Sequence, residues 1–211
     1  MQIDEITLAR TVWFVNFSAI NPMGLAFGPI SKMLIDRYGF LTYPTAPTDF
    51  DFSKGIAYGN GQFQFEGNSL AVGLTIYSTG WMGDSLVSTD ASDAFLKDLA
   101  SWAISHFPIK DPVQLITRYV YDSQLYLTSD VNITAASEKL RTFTDLLKKA
   151  RGSQTEEVWG LLFNPDGSTG YSFSFERKAN TPYAEKKYFT KAAVSTERHI
   201  KLLDEFEKLF A

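Results

Sequence analysis

Val87-Ser88-Thr89-Asp90 recurs 107 positions later as Val194-Ser195-Thr196-Glu197. Each copy carries the marks of a helix start. A Ser or Thr oxygen is placed to accept a bond from an unpaired backbone N–H, and an acid in the first turn meets the positive end of the helix dipole. At the same offset Phe95, Leu96, Leu99, Trp102 and Ala103 fall on Leu202, Leu203, Phe206, Leu209 and Phe210, so the apolar stripe repeats in phase. The spacing predicts one helix from about Asp90 to Phe107, stopped by Pro108, and another from Thr196 to Phe210. It also divides the chain into two related halves, residues 1–110 and 111–211, fused into one compact domain.

The first half reads outward from that helix. In residues 7–18, Trp13, Val15 and Phe17 alternate with Phe14, Asn16 and Ser18, a largely buried strand. After the turn Asn21-Pro22-Met23-Gly24, Gly28-Pro29 opens a helix with Ile30, Met33, Leu34 and Tyr38 on one face and Gly39 as its left-handed stop. Residues 40–53 hold two prolines and several aromatics, which predicts a connection pinned across a surface. Gly59-Asn60-Gly61 predicts a hairpin between residues 55–58 and 62–66, residues 70–78 a further strand, and Gly80-Trp81-Met82-Gly83 a turn.

The second half repeats the order. Residues 113–128 keep Leu115, Thr117, Tyr119, Tyr121, Ser123, Leu125 and Leu127 on one parity, a strand long enough to require a bend. Thr134 caps a helix whose face is Leu140, Phe143, Leu146, Leu147 and Ala150, ended by Gly152. Strands at residues 157–163 and 171–176 flank Asn164-Pro165-Asp166-Gly167, and residues 186–190 supply a third. Asn60-Gly61 faces Asp166-Gly167, and Phe63-Gln64-Phe65-Glu66 faces Phe173-Ser174-Phe175-Glu176.

The expected class is therefore α+β: two β-α-β-β-β-α halves forming a pseudo-twofold antiparallel sheet with helices packed on one face. This order resembles the saddle of the TATA-binding-protein fold. The resemblance lies in the order of elements and rests on no motif, so it implies an architecture and no nucleic-acid function.

With 211 residues, 45% hydrophobic and 15% aromatic, the chain can bury one large core or two fused smaller ones. Residues 1–110 hold 6 Lys/Arg against 10 Asp/Glu, whereas residues 111–211 hold 14 of each. Such a balance argues against a general nucleic-acid binder, which needs clustered positive charge. There is no cysteine, hence no disulfide, thiol nucleophile or thiolate metal site. No apolar run is long enough to span a membrane, and Met1-Gln2-Ile3-Asp4-Glu5 lacks the pattern of a secretory signal, so a cytoplasmic location is expected.

Chemistry-bearing residues are sparse. The two histidines, His106 and His199, lack any His-x-His or His-Glu-x-x-His spacing, and no Gly-x-Ser-x-Gly elbow nominates a serine. Both histidines read as structural. Asp49 and Asp51, between Pro47 and Lys54, form the best carboxylate pair for a cation or a general base, with local side-chain turns as the simpler reading. Gly59-Asn60-Gly61 lacks the lysine and helix of a phosphate loop. We therefore assign no catalytic residue, metal site or cofactor, and the reading leans away from an enzyme.

Arg177, Lys178, Lys186, Lys187 and Lys191, with Tyr183, make the densest basic region, a weak candidate for an anion that Glu176 and Glu185 dilute. The 40–53 insertion has no counterpart in the second half, which passes from Gly152 to Glu157 almost directly. Long aromatic connections of this kind either bind something or cap the protein's own core. Phe40, Tyr43, Phe50 and Phe52 are accordingly the candidate partner-binding residues. The leading expectation is a non-enzymatic binding or assembly module whose partner is another protein or a second copy of the chain. One alternative is a small-molecule-binding domain or carboxylate-dependent hydrolase with a pocket between sheet and helices near Trp13, Tyr119, Tyr121, Trp159 and Asp122. Another is single-stranded nucleic-acid binding through residues 177–191.

Overall fold

The computed structural model describes residues 1–24, 26–134, 137–152, 156–164 and 173–210. Its elements are β1 Gln2–Phe14, the single turn α1 Phe17–Ile20, α2 Phe27–Tyr38, β2 Ile56–Phe65, β3 Asn68–Tyr77, β4 Gly80–Ser85 and α3 Thr89–His106. There follow β5 Arg118–Thr128, α4 Glu138–Arg151, β6 Gly160–Phe163, β7 Phe173–Arg177, β8 Lys187–Ala192 and α5 Thr196–Phe210. The class is α+β, with eight antiparallel strands and helices. The chain divides into a larger unit, residues 8–123 with 194–196, and a smaller one, residues 1–7, 124–193 and 197–211, so that β1 and β5 each contribute to both.

In the larger unit the strand order is β2-β3-β4-β1-β5. Alternate residues of these strands, Thr11 and Trp13 on β1, Ile56 and Tyr58 on β2, and Val72, Leu74 and Ile76 on β3, are buried in one core with Leu34 and Tyr38 of α2 and Phe95, Leu96 and Leu99 of α3. The opposite parity is half-exposed, and there Arg10 grips Asp84 through two bonds of 2.6 and 2.9 Å. Helix α3 starts as its sequence dictates, with the Ser88 hydroxyl accepting the Ala91 N–H at 3.1 Å. Next to it, Thr89 and Thr196 exchange bonds: the Thr89 N–H donates to the Thr196 hydroxyl (3.1 Å) and the Thr196 N–H to the Thr89 hydroxyl (3.0 Å).

In the smaller unit the order is β1-β5-β8-β7-β6. The Thr7 hydroxyl donates to the Gln124 carbonyl and the Thr128 hydroxyl to Asp4, fixing β5 antiparallel to β1. Helix α5 lays Leu203 and Phe206 onto Leu125, Leu127, Phe175 and Tyr188. The rings of Phe175 and Phe206 lie 4.7 Å apart, those of Phe175 and Tyr188 4.5 Å.

Several expectations need correction. Strand β1 starts at Gln2 and ends at Phe14, and the Asn16 side chain, accepting the Ser18 N–H, turns the chain into α1. Gly59-Asn60-Gly61 is no hairpin: β2 runs through it with a bulge at Asn60 (φ 54°), and the chain reverses at Glu66-Gly67. The two glycines answer a different need. A Cβ on Gly59 would lie 2.4 Å from the Thr42 hydroxyl, and one on Gly61 2.5 Å from the Phe40 ring, so their absence lets the 40–42 strap close against β2. Likewise Gly80-Trp81-Met82-Gly83 is strand, not turn, with Trp81 opposite both Trp13 and Ile76. A Cβ on Gly83 would meet Leu96 at 2.9 Å, so the missing side chain admits α3. The long strand of the second half begins only at Arg118, because residues 112–115 form a 3-10 turn stapled by Asp111 to the Val113 N–H.

Helix α4 ends at Gly152 as expected, in the left-handed conformation, but Ser137 precedes it and Thr134 accepts the Val158 N–H instead. Its buried residue is Thr144, while Phe143 and Leu146 are exposed, so the expected face is rotated. Residues 165–167 of the second turn lie outside the described residues. The stripe of α5 departs from that of α3 at two positions: Trp102 is buried, whereas its counterpart Leu209 is 79% exposed, and Phe95 is buried where Leu202 is 47% exposed.

Candidate functional site

Those two leucines mark the site. Helix α5 presents one flank of its apolar face to the core through Leu203 and Phe206, and the next flank, one helical step round, carries Leu202 and Leu209. Between this flank and the end of the sheet lies a groove of about 320 Å³ lined by Phe163, Phe173, Leu202, Glu205, Phe206 and Leu209. Phe163 and Phe173 stand opposite each other in the β6–β7 register, their rings 6.0 Å apart. Phe173 leans on Phe206 and meets His199 edge-on.

The strand bordering the groove is the last in its unit's order. Its sequence, Gly160-Leu161-Leu162-Phe163, has none of the lysines, prolines or bulges that keep edge strands from pairing with other chains. Leu162 and Phe163 are more than half exposed, as is Trp159 just before them. The other terminal strand, β2, differs: Leu41 and Thr42 bond to Gly59, and its bulge interrupts the ladder. Charges along α5 alternate, Glu197 with Lys201 and Glu205 with Lys208.

His199 is fully buried. The Thr190 hydroxyl bonds to the Ser174 carbonyl at 2.7 Å, which uses its single proton, so Nε2 of His199 at 3.0 Å must be the donor to Thr190. His106 bonds through Nδ1 to the Trp102 carbonyl and the Ser105 hydroxyl at the end of α3.

The residues nominated from sequence are distributed as follows. Phe40 is buried in the larger unit's core; Phe50 and Phe52 pack against that core, Phe52 with its ring 4.5 Å from Phe17 and 5.2 Å from Phe27. Tyr43 is 44% exposed. It shares a cleft of about 660 Å³ with Asp49, Asp51 and Lys54. Asp49 there accepts the N–H groups of Thr45 and Ala46, and Asp51 accepts the Ser53 hydroxyl and N–H and pairs with Lys54. These bonds to the ionised forms hold both carboxyls below their ordinary range, first through Ala46 and through Ser53 respectively. They are the local turns that the Thr-Asp and Asp-Phe steps favour.

In the basic region Arg177, Lys178, Lys186 and Lys187 each have an anionic or aromatic neighbour. Arg177 pairs with Glu157 at 2.6 Å and covers the Tyr183 and Tyr188 rings, Lys178 sits 3.8 Å over Tyr126, Lys186 pairs with Asp130 and Lys187 with Glu185. That charge is largely neutralised in place. Of the expected pocket, Trp13 donates its indole N–H to Asp93 and meets Tyr119 edge-on, whereas Trp159 belongs to the smaller unit. Among the described residues no cluster of His, Asp and Glu is arranged to hold a metal ion, and no helix is long and apolar enough to cross a membrane.

Sequence reasoning missed the groove because Leu202 and Leu209 continue the stripe that the core uses. The readable signal was Gly160-Leu161-Leu162-Phe163, an apolar strand without a protecting charge. No protein-family model matches the chain, and no curated protein matches it either.

Proposed function

We propose that this protein is a non-enzymatic assembly module that pairs with a second copy of itself through the β6 edge and the groove beside α5. The observation that carries the reading is the exposure of Phe163, Leu202 and Leu209 around one groove next to an edge strand that carries no protecting charge among its described residues. Leu162 on the same strand and Trp159 just before it are exposed as well, so edge and groove together offer the kind of apolar surface that marks an interaction site. A twofold contact suits the pattern. Antiparallel pairing of two β6 strands about a dyad places identical groups opposite each other, and the alternating charges of α5 let Glu205 of one copy face Lys208 of the other.

The same proposal includes an internal repeat as the origin of the fold. It is supported by the mirrored strand orders of the two units and by the reciprocal bonds of Thr89 and Thr196, whose separation of 107 residues is the offset of the sequence repeat.

Light scattering across a concentration series tests the assembly. Wild type should reach twice the chain mass, and the double variant Leu202→Glu, Leu209→Glu, altered only at exposed positions, should remain at the chain mass while keeping its circular dichroism. A wild type that stays at single-chain mass at high concentration contradicts self-assembly.

A further inference from the structure

The β6 backbone sets how a second copy can lie against it. The Arg177 N–H donates to the Trp159 carbonyl at 2.8 Å, so Trp159 bonds inward, to β7. In an antiparallel ladder that direction alternates. Leu161 and Phe163, opposite Phe175 and Phe173, therefore also bond inward, and the N–H and C=O groups of Gly160 and Leu162 point out of the sheet. The preceding outward position, Val158, has its N–H committed to the Thr134 hydroxyl at 2.9 Å.

Few twofold pairings suit such an edge. A dyad on Gly160 would set Leu162 against Val158 of the other copy, whose N–H is taken. A dyad on Leu162 would set Gly160 against Asn164, past the end of the strand. A dyad on Leu161 sets Gly160 of each copy against Leu162 of the other, and every outward N–H and C=O of both strands finds a partner.

The side chains fit the same register. Leu162, 64% exposed, would lie over Gly160 of the other copy, where no side chain stands in its way. By strand alternation Trp159, Leu161 and Phe163 share the α5 side of the sheet with Phe173 and Phe175, whose rings meet Phe206. A dyad on Leu161 brings Trp159 of one copy directly opposite Phe163 of the other. Phe163 is a wall of the groove, whose 320 Å³ exceeds the roughly 150 Å³ that admits a benzene ring. Glu205 is the single polar residue of that lining; it holds Lys208 through Oε1 at 2.6 Å, which leaves Oε2 to accept. An indole brings an apolar body with one N–H, the counterpart of a hydrocarbon groove with one acceptor.

We infer that each groove receives Trp159 of the other copy, its indole N–H donating to Glu205, with Leu161 on the dyad. The inference rests on the self-assembly proposed above and adds its register and its anchor.

The test places single cysteines in a chain that has none, under mild oxidation at a concentration where wild type has twice the chain mass. Leu161→Cys should form an interchain disulfide, because a residue on the dyad faces its own copy at about 4.5 Å between Cα atoms, within disulfide range. Leu162→Cys should not, its own copy lying diagonally at about 7–8 Å. Should Leu161→Cys fail to fold, a mixture of Trp159→Cys and Phe163→Cys chains, altered only at exposed positions, decides the register: the two should crosslink to each other and neither to itself. Trp159→Ala should weaken dimerisation at least about thirtyfold, as loss of a central tryptophan anchor does. A dimer that crosslinks at Leu162, or at none of these positions, overturns the register while the assembly stands. An unchanged dimer affinity in Trp159→Ala overturns the anchor. A wild type that never exceeds the chain mass removes the assembly and this inference together.

Discussion

Replacing Thr89 or Thr196 by Val removes one hydroxyl oxygen and nothing else of comparable size. Both residues are buried, at 1% and 4% exposure, and each hydroxyl accepts the other's backbone N–H. Each N–H lies in the first turn of a helix, where no carbonyl of that helix can reach it. Either valine therefore leaves one buried donor unpaired, at about 1–3 kcal/mol. The two bonds use different donors and acceptors, so the double variant should lose about the sum, roughly 2–6 kcal/mol, if each orphaned N–H finds no substitute. For a chain of this size about 2 kcal/mol corresponds to a fall of roughly 4–8 °C in Tm. Urea unfolding followed by tryptophan fluorescence measures the change in water, and the slope should stay constant because neither variant alters the surface exposed on unfolding. The proposed internal repeat adds a sharper demand: the two singles should lose similar amounts. If either valine variant falls within about 0.5 kcal/mol of wild type, or if the loss is confined to one, the exchange of bonds does not hold these helix starts in equivalent positions.

Other outcomes follow from the same geometry. Phe52→Ala should cost about 2–3 kcal/mol in urea unfolding, since its ring packs on Phe17 and Phe27, while Tyr43→Ser should stay within about 0.5 kcal/mol, separating the core role of the 40–53 segment from an exposed one. Burial pushes the Tyr58 hydroxyl up to about 12, only partly opposed by its bond to Ser31. Because the folded value is raised, the stability Tyr58 contributes is complete below the ordinary tyrosine value near 10 and is lost as pH rises through about 12; urea midpoints at pH 9 and 11.5 should fall more steeply for wild type than for Tyr58→Phe. Asp49 and Asp51 are shifted down, so the order they give the 45–53 turns is complete above the ordinary carboxylate value near 4 and is lost as pH falls through their folded values; the protection of the Thr45, Ala46 and Ser53 amides against hydrogen exchange, relative to the intrinsic rate at each pH, should fall there, and Asp49→Asn should lower it at Thr45 and Ala46 already at neutral pH.

Helices were the most legible elements. Ser88 and Asp90 fix the start of α3, Gly39 and Gly152 fix the ends of α2 and α4, and α5 has the span its apolar spacing predicts. These signals are local, set by a cap or a positive φ. The glycine-rich stretches misled because the same residue serves two physical needs. Gly59-Asn60-Gly61 and Gly80-Trp81-Met82-Gly83 resemble turns, but Gly59 and Gly61 are there for the approach of Thr42 and Phe40, and Gly83 for the approach of Leu96, neighbours that sequence distance conceals. The groove was hidden for a related reason. A 3.6-residue period says that Leu202, Leu203, Phe206 and Leu209 share a broad face, not which part of that face the fold covers.

The assembly claim is tested most directly at the backbone of β6. Hydrogen exchange at the Leu161, Leu162 and Phe163 amides, measured from low micromolar to millimolar protein, should show alternate amides becoming protected as concentration rises, while β3 amides stay unchanged. Protection in β6 that is the same at every concentration contradicts edge pairing between two copies.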